Sequence, residues 1–177
     1  GGNSITPSLI KATGANATPV FTSIAGTGMT TASARISCIE LGTNEQNIIV
    51  AYSNYGVNNV WVTNNGGTSW AAIDGNLPDM PVRWGMFAPA NAELNGTGGG
   101  LGGILLGTEL GVWTTSLING SSTQWIPNNA GQANVRTDML KYRSSDNTVA
   151  AATHGRGLFT TTLPTVVVPS LMVYGAV

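Results

Sequence analysis

Carboxyl groups that could serve as a general acid and a general base are scarce in this chain. It has eight Asp and Glu residues among 177, and hydrolysis of a glycosidic bond uses two such groups on either side of that bond. The candidates are Asp79, which precedes an apolar run, and Asp138, with Asp74 as a third. Asp138 lies two residues after Arg136, so a local ion pair is the structural alternative to a catalytic role.

Three arginines could bind a ligand that carries a carboxylate. Arg35, Arg83 and Arg136 are each the second residue of a similar stretch, in ARISCIEL, VRWGMFAP and VRTDMLKYR. A guanidinium group binds a carboxylate through two parallel hydrogen bonds, which suits such a clamp. The alternative is that all three are structural residues of a repeat, bonding carbonyls or carboxylates near an inner strand. We favour the structural interpretation, because a fold carries its structural residues whatever its function.

Tryptophans could provide platforms on which a sugar ring stacks. Trp61 in VWVT and Trp113 in VWTT hold corresponding places, which favours packing between repeated units over ligand contact. Trp84 remains the tryptophan candidate for ligand binding.

The residue types that bind metals or attack substrates do not cluster. His154 is the single histidine and Cys38 the single cysteine, so neither a disulfide nor a ligand set with metal spacing is predicted. Cys38 alternates with its neighbours on a strand and is interpreted as a small core residue. The run GTGGGLGG lacks the Lys-Ser/Thr pair of a phosphate-binding loop. We therefore predict no metal site and no cofactor.

Low charge and abundant glycine indicate the fold class. Charged residues make up 8% of the chain and the formal net charge is -1, which offers little attraction to nucleic acid or to an anionic membrane. Twenty-four glycines, with many Thr and Asn residues, favour a turn-rich β protein. No apolar run approaches the roughly 18 residues of a membrane-spanning helix. We predict an all-β protein with no nucleic-acid partner and no transmembrane segment.

A unit of roughly 50 residues recurs along the chain. Each unit has four short apolar or alternating runs separated by Gly, Asn, Pro or Ser clusters. Four strands in a repeat of this length describe a β-propeller blade. We predict about three blades of four antiparallel strands, a partial propeller. Its boundaries are 1–33 for the end of a preceding blade, 34–80 for a blade, 81–134 for a blade with a Gly-rich insertion, and 135–177 for the final blade and an apolar tail.

One stretch, VWVTNNGGTSW at residues 60–70, carries a recognisable turn motif. It resembles the Asp-box or BNR repeat, Ser-x-Asp-x-Gly-x-Thr-Trp, of sialidases, sortilin-like propellers and family 74 glycoside hydrolases. Thr63, Asn65, Gly67 and Trp70 match its Ser, Asp, Gly and Trp, and Ser69 stands where Thr is usual. The resemblance implies a hairpin between the third and fourth strands of a blade. We expect the Asn side chain to accept turn N–H groups, Gly to adopt a positive φ, and Trp to pack between blades.

Degenerate copies of this turn occupy the corresponding places in two other units. TGANATPVF leads to Phe21 and SLINGSSTQW leads to Trp125. These aromatic residues and Trp70 open the similar stretches FTSIAG, WIPNNAG and WAAIDG. We expect all three to pack against a neighbouring blade.

A wider resemblance covers residues 20–163. LPDMPVRWGMF, GTELGVW, NVRTDMLKYR and ATHGRGLF resemble the closing blades of large secreted Asp-box propellers of bacteria, particularly the Bacteroidetes. Sialidases of similar fold clamp a carboxylate with three arginines beside a Tyr/Glu nucleophile pair, and no such pair is evident here. The resemblance implies an extracellular or cell-surface location, with the remainder of a longer polypeptide or other blades as partners. The chain is thus interpreted as a partial or processed one.

Two functions are consistent with these observations. The first is a non-catalytic propeller module for adhesion, for binding an extracellular glycan or surface protein, or for structural assembly. The alternative is a fragment of a family 74-like or sialidase-like glycoside hydrolase whose catalytic residues lie partly outside the chain. The apolar tail PTVVVPSLMVYGAV is expected to be covered, because bare apolar strands promote aggregation.

Overall fold

The computed structural model describes residues 8–29, 34–94 and 101–166, which are almost entirely strands and turns. The prediction of an all-β protein is confirmed. Residues 1–7, the middle of the Gly-rich insertion and most of the apolar tail lie outside the described residues.

The described strands form four antiparallel sheets in which neighbours in sequence are neighbours in space. Sheet 1 contains β1 (Ile10–Thr13) and β2 (Val20–Ser23). Sheet 2 contains β3 (Ile36–Leu41), β4 (Ile48–Tyr52), β5 (Val60–Thr63) and β6 (Ala71–Ala72). Sheet 3 contains β7 (Val82–Phe87), β8 (Ile104–Thr108), β9 (Gly111–Thr115) and β10 (Ile126–Pro127). Sheet 4 contains β11 (Thr137–Arg143), β12 (Thr148–Thr153) and β13 (Gly157–Thr162).

The strand registers show that sheets 2, 3 and 4 are copies of one unit. Each first strand pairs with its second strand through a β-bulge at the same place. A bulge leaves one residue unpaired and redirects its side chain. The residues at this position are Ser37, Arg83 and Asp138. Sheet 1 pairs like the third and fourth strands of the unit, with β1 in the place of β5 and β2 in the place of β6.

The sheets pack face to face in chain order, and the second strands explain why. β4 (IIVAY) and β8 (ILLGT) are buried along their whole length, since both of their faces are covered. In β4, Ile48 and Val50 face sheet 1, whereas Ile49 and Ala51 face sheet 3. A further cluster, which includes Leu105, fills part of the space between sheets 3 and 4. The core is thus a series of apolar layers between sheets.

Cys38 lies in the layer between sheets 2 and 3, as expected for a small core residue. Its Sγ is 3.5 Å from the carbonyl oxygen of Gly85. Burial raises the pKa of the thiol above its ordinary value, which disfavours the reactive thiolate.

Candidate functional site

The turn between β5 and β6 is held by the side chains that the sequence motif singles out. The Thr63 hydroxyl accepts the N–H groups of Asn65 and Gly67 at 3.3 and 3.1 Å. The same hydroxyl donates to Asn65 Oδ1 at 2.8 Å, and that oxygen accepts the Ser69 N–H at 3.0 Å. The Asn65 amide donates to the Ser69 hydroxyl at 2.8 Å. An uncharged Asn therefore satisfies this turn, and the expected bonding of its side chain is confirmed.

Gly67 is required in this turn for two reasons. Its φ is 89°, a conformation that costs little only for glycine. A Cβ at this position would lie 2.7 Å from the Cβ of Ile24 in the loop that follows sheet 1. The turn therefore fixes the approach of sheet 2 to sheet 1 as well as closing its own hairpin.

Two tryptophans join neighbouring sheets in the same way. The Trp70 indole N–H donates to the carbonyl of Ile24 at 2.8 Å, just after the last strand of sheet 1. The Trp125 indole N–H donates to the carbonyl of Ile73 at 2.7 Å, just after the last strand of sheet 2. Both side chains are buried, at 6% and 1% exposure. The expectation that these aromatic residues pack between units is confirmed for both.

The first and last sheets carry the same positions without a neighbour among the described residues. Phe21 matches Trp70 in register but is 68% exposed. Leu158 matches the fully buried Val60 but is 66% exposed. The expectation that Phe21 packs between units is thus wrong for the described residues, because sheet 1 is the first sheet of the stack. We name two surfaces, the first end face (Ile10, Phe21) and the last end face (Met139, Leu158).

Ion pairs occupy one edge of sheets 3 and 4, at the bulge. Arg83 donates through Nε to Glu109 Oε1 at 2.7 Å, and its Nη2 contacts the same oxygen. Arg136 Nε donates to Asp138 Oδ1 at 2.6 Å, which confirms the local ion pair. His154 Nδ1 lies 3.4 Å from the other oxygen of Asp138. We call this region the bulge edge; it comprises the bulged residue and the residue after the second strand in each unit, namely Ser37, Ser53, Arg83, Glu109, Asp138 and His154.

The three arginines are not all at equivalent positions, although each is the second residue of a similar stretch of sequence. The carbonyls of Arg35, Pro81 and Arg136 each accept the N–H that follows the second strand of their sheet. Arg83 lies two residues beyond this position, level with Asp138. Matching by residue type missed this offset because the Val-Arg pairs of the two stretches stand two places apart in the strand register, which only the pairing with the second strand shows. Arg83 and Arg136 are each held by a carboxylate. Arg35 is exposed, and within the described residues its hydrogen bonds are made by its backbone N–H and carbonyl groups.

Asp74 and Asp79 line one surface depression of about 660 Å³ beside the loop between β4 and β5. The carboxylate of Asp74 accepts the N–H groups of Asn59 and Val60. Burial raises the pKa of Asp74 above its ordinary value, and those two hydrogen bonds oppose the rise. Asp79 accepts the N–H of Gly56 at 2.7 Å. Both groups thus hold the loop, and Asp138 lies apart from them on sheet 4.

The tryptophan candidate Trp84 is half-buried and packs against the apolar layers on both sides of sheet 3. Trp61 and Trp113 occupy equivalent positions in register and also pack between sheets. Their equivalence and their packing confirm the sequence interpretation.

A cavity of about 530 Å³ between sheets 3 and 4 was not anticipated from the sequence. Its apolar lining includes Leu105, Leu140 and Phe159, and its rim includes Asn128 and Gly131. A signal was present, since the sequence after β13, LPTVVVPS, lacks the Asn and Gly of the turn at residues 63–70.

Within the described residues, no group of three or more His, Cys, Asp or Glu side chains could hold a metal ion. The same residues include no helix that is both long and apolar enough to cross a membrane.

No protein-family model matches the chain, and no curated protein matches it. The class of the protein is therefore defined by its structure: an all-β chain of antiparallel sheets that stack in order.

Proposed function

We propose that the chain is a non-catalytic segment of an extracellular or cell-surface β-propeller, a module for binding or assembly. The four sheets serve as successive blades, sheets 1 and 4 being incomplete within the described residues. A propeller blade packs both of its faces on neighbours, and closure takes four or more blades. The resemblance of residues 60–70 to the Asp-box supports this assignment, as does the bonding within that turn.

The uncovered end faces carry the proposal. Inside the stack, positions equivalent to Phe21 and Leu158 are buried at 6% and 0% exposure, in Trp70 and Val60. At the ends the same positions are about two-thirds exposed. Large apolar side chains left bare in register with a buried interface mark a surface that receives a partner. The partner is a further blade, from the same polypeptide or from another chain.

Self-association of the isolated chain tests this idea, because a second copy offers the missing faces. The first end face of one copy would meet the last end face of the next, a head-to-tail contact that need not close. We expect sedimentation equilibrium to show association that grows with concentration. Phe21→Lys or Leu158→Lys should abolish it, since each places a charge in an apolar contact.

Mixing these two variants sharpens the test. Each retains one intact end face, so the mixture should form heterodimers and nothing larger. Leu117→Lys is the matched control, because Leu117 is 65% exposed but lies in the turn after β9. A chain that stays monomeric at every concentration, or variants indistinguishable from the control, would overturn the proposal.

The bulge edge is the surface best suited to contact a glycan or surface protein. It presents charged and hydrogen-bonding groups from neighbouring sheets, including Arg83, Glu109 and His154, on loops held by a rigid scaffold. Binding there would be polar and would weaken with salt. Glycan-array binding that is lost in Glu109→Gln and His154→Ala, with folding intact, would support this use of the module.

A hydrolase fragment is the second candidate, favoured by the placement of Asp74 and Asp79 in one depression. A raised pKa, as at Asp74, is a property of general acids. Release of reducing sugar from plant or host glycans, lost in Asp79→Ala or Asp138→Ala, would establish this candidate and exclude the first. We expect no release, because these carboxylates are already engaged in backbone or arginine contacts.

A further inference from the structure

An asparagine that is followed by glycine is prone to react with its own backbone, because glycine has no Cβ to hinder the approach of its nitrogen. The chain has three such pairs, Asn65–Gly66, Asn95–Gly96 and Asn119–Gly120. The first and the third lie in the turns that lead to Trp70 and Trp125, whereas Asn95 lies outside the described residues. The two described pairs can therefore be compared within one fold.

The reaction needs only the two residues and water. The backbone nitrogen of the glycine attacks the side-chain carbonyl carbon of the asparagine and closes a succinimide ring. The side-chain nitrogen leaves as ammonia and takes the glycine N–H proton with it. Water then opens the ring at either of its carbonyls, which gives aspartate or isoaspartate. Both products add a negative charge, and isoaspartate also lengthens the backbone by one carbon atom.

Both reacting groups of the first pair are held in place. Asn65 Oδ1 accepts the Thr63 hydroxyl at 2.8 Å and the Ser69 N–H at 3.0 Å. The Asn65 side-chain nitrogen donates to the Ser69 hydroxyl at 2.8 Å. The attacking nitrogen, that of Gly66, donates to the carbonyl of Gln46 at 3.0 Å. Since the side-chain carbon must turn toward this nitrogen, these hydrogen bonds have to break before the ring can form.

The third pair has none of these restraints within the described residues. Asn119 is exposed, and in this part of the chain its side chain makes no hydrogen bond, even though it precedes a short 3₁₀ helix at Gly120–Ser122. The Gly120 N–H likewise has no hydrogen-bond partner among these residues. A Cβ at Gly120 would have no atom within 4 Å, so the turn has room to move.

The backbone of Asn119 belongs to the turn that places Trp125 against sheet 2. The Asn119 N–H donates to the Thr123 hydroxyl at 2.9 Å, and the Asn119 carbonyl accepts the Ser122 N–H at 2.9 Å. Thr123 is buried, and its carbonyl accepts the Asn76 N–H from the loop after β6 at 3.4 Å. An added backbone carbon at residue 119 would shift one end of this bonded turn against the other. A modification there therefore reaches the contact between sheets 2 and 3.

We propose that Asn119 is a site of succinimide formation, and that its conversion to isoaspartate loosens the contact of Trp125 with sheet 2. Asn65, which is also followed by glycine, is protected by the hydrogen bonds of its own turn. The inference concerns the chemistry of one turn and does not depend on what the module binds or assembles with.

Incubation of the full chain in mildly alkaline buffer, followed by peptide mass spectrometry, compares the two sites. We expect Asn119 to convert about tenfold faster than Asn65 or more, because the Asn65 turn must open locally before it reacts. In urea, where the fold is lost, the two sites should convert at similar rates. Gly120→Ala, whose methyl group shields the attacking nitrogen, should slow conversion of Asn119 and leave Asn65 unchanged. Equal rates in the folded chain, or faster conversion of Asn65, would overturn the proposal.

Amide exchange measures the effect on the contact. The isoaspartate form, separated by ion exchange, is compared with the fresh chain and with Asn119→Asp, which adds the charge without lengthening the backbone. We expect the Asn76 N–H and the Trp125 indole N–H to exchange about tenfold faster in the isoaspartate form. The Trp70 indole N–H is the internal control and should be unchanged, and Asn119→Asp should match the fresh chain. Unchanged exchange at Trp125 in the isoaspartate form, or an equal effect of Asn119→Asp, would overturn the proposal.

Discussion

The contact between sheets 2 and 3 and the contact between sheets 3 and 4 use the same strand positions with opposite results. In the first, Trp125 is 1% exposed and bonded at its indole N–H to the Ile73 carbonyl. In the second, the equivalent place is a cavity of about 530 Å³ rimmed by Asn128. Among the described residues, one side chain at the end of one turn therefore distinguishes a filled contact from a contact that contains a cavity.

The comparison also shows what makes the filled contact possible. Gly75 allows the turn of sheet 3 to reach sheet 2, whereas Ala130 holds the same place on sheet 3. A methyl group in place of the Gly75 hydrogen would overlap the Thr123 carbonyl of the approaching turn.

Removing the tryptophan should open the filled contact. We expect Trp125→Ala to lower the free energy of unfolding by about 4 kcal/mol, the usual cost of a large cavity at a buried aromatic residue. Phe21→Ala, in the same register but exposed, should cost less than about 0.5 kcal/mol. Chemical denaturation of both variants measures the difference. Equal losses would show that Phe21 is covered in the folded chain.

Adding a methyl group should strain the filled contact from the other side. Gly75→Ala should cost about 2 kcal/mol or more, because its Cβ would overlap the Thr123 carbonyl and its φ of 52° disfavours a side chain. The reverse change beside the cavity, Ala130→Gly, should cost less than about 1 kcal/mol, from backbone entropy alone. Thermal unfolding checks both. If Gly75→Ala is neutral, close approach of the turn is not what sets this contact.

The hydroxyl that organises the turn of sheet 2 has a weaker counterpart in sheet 3. Thr63 accepts two backbone N–H groups, whereas Thr115 accepts that of Leu117. Thr63→Val should cost about 2 kcal/mol, since it leaves two backbone N–H groups unpaired, and Thr115→Val about 1 kcal/mol, since it leaves one. Urea titrations of the two variants give the ranking. A larger loss for Thr115→Val would contradict it.

The smallest expected effect is a change in how stability depends on pH. It concerns Asp74, whose counterpart on sheet 3 is the uncharged Asn129. Asn129 accepts the Val112 N–H at 2.6 Å. Burial raises the folded-state pKa of Asp74 above its ordinary value of 3.8, so the folded chain binds this proton more tightly than the unfolded chain. Stability contributed by this group is present below 3.8 and is lost as pH rises through the folded pKa. Asp74→Asn should remove that part of the slope of unfolding free energy against pH. An unchanged slope would show that Asp74 is not its source.

Much of the architecture could be predicted from local patterns. Strands such as VWVT alternate or cluster apolar residues next to turn-forming ones, so their existence and class follow from short-range chemistry. The bonding of Thr63 and Asn65 follows in the same way, because the turn contains both donor and acceptor.

What depends on pairing could not be predicted. Arg83 looks equivalent to Arg136 by residue type, and only the register at the bulge shows the offset. The cavity is lined by residues of two sheets that are distant in sequence, such as Leu105 and Phe159, so it follows from packing between sheets. The exposure of Phe21 likewise depends on its sheet being the first of the described stack, and the local sequence around Phe21 does not show this.

The indole bonds of Trp70 and Trp125 both run from a later sheet to an earlier one. During synthesis, the carbonyl that accepts each bond therefore leaves the ribosome before the tryptophan that donates to it. Every new unit can complete its layer on a surface that is already formed, without waiting for residues still to be translated. The polarity of two hydrogen bonds thus favours assembly of the stack in the direction of translation.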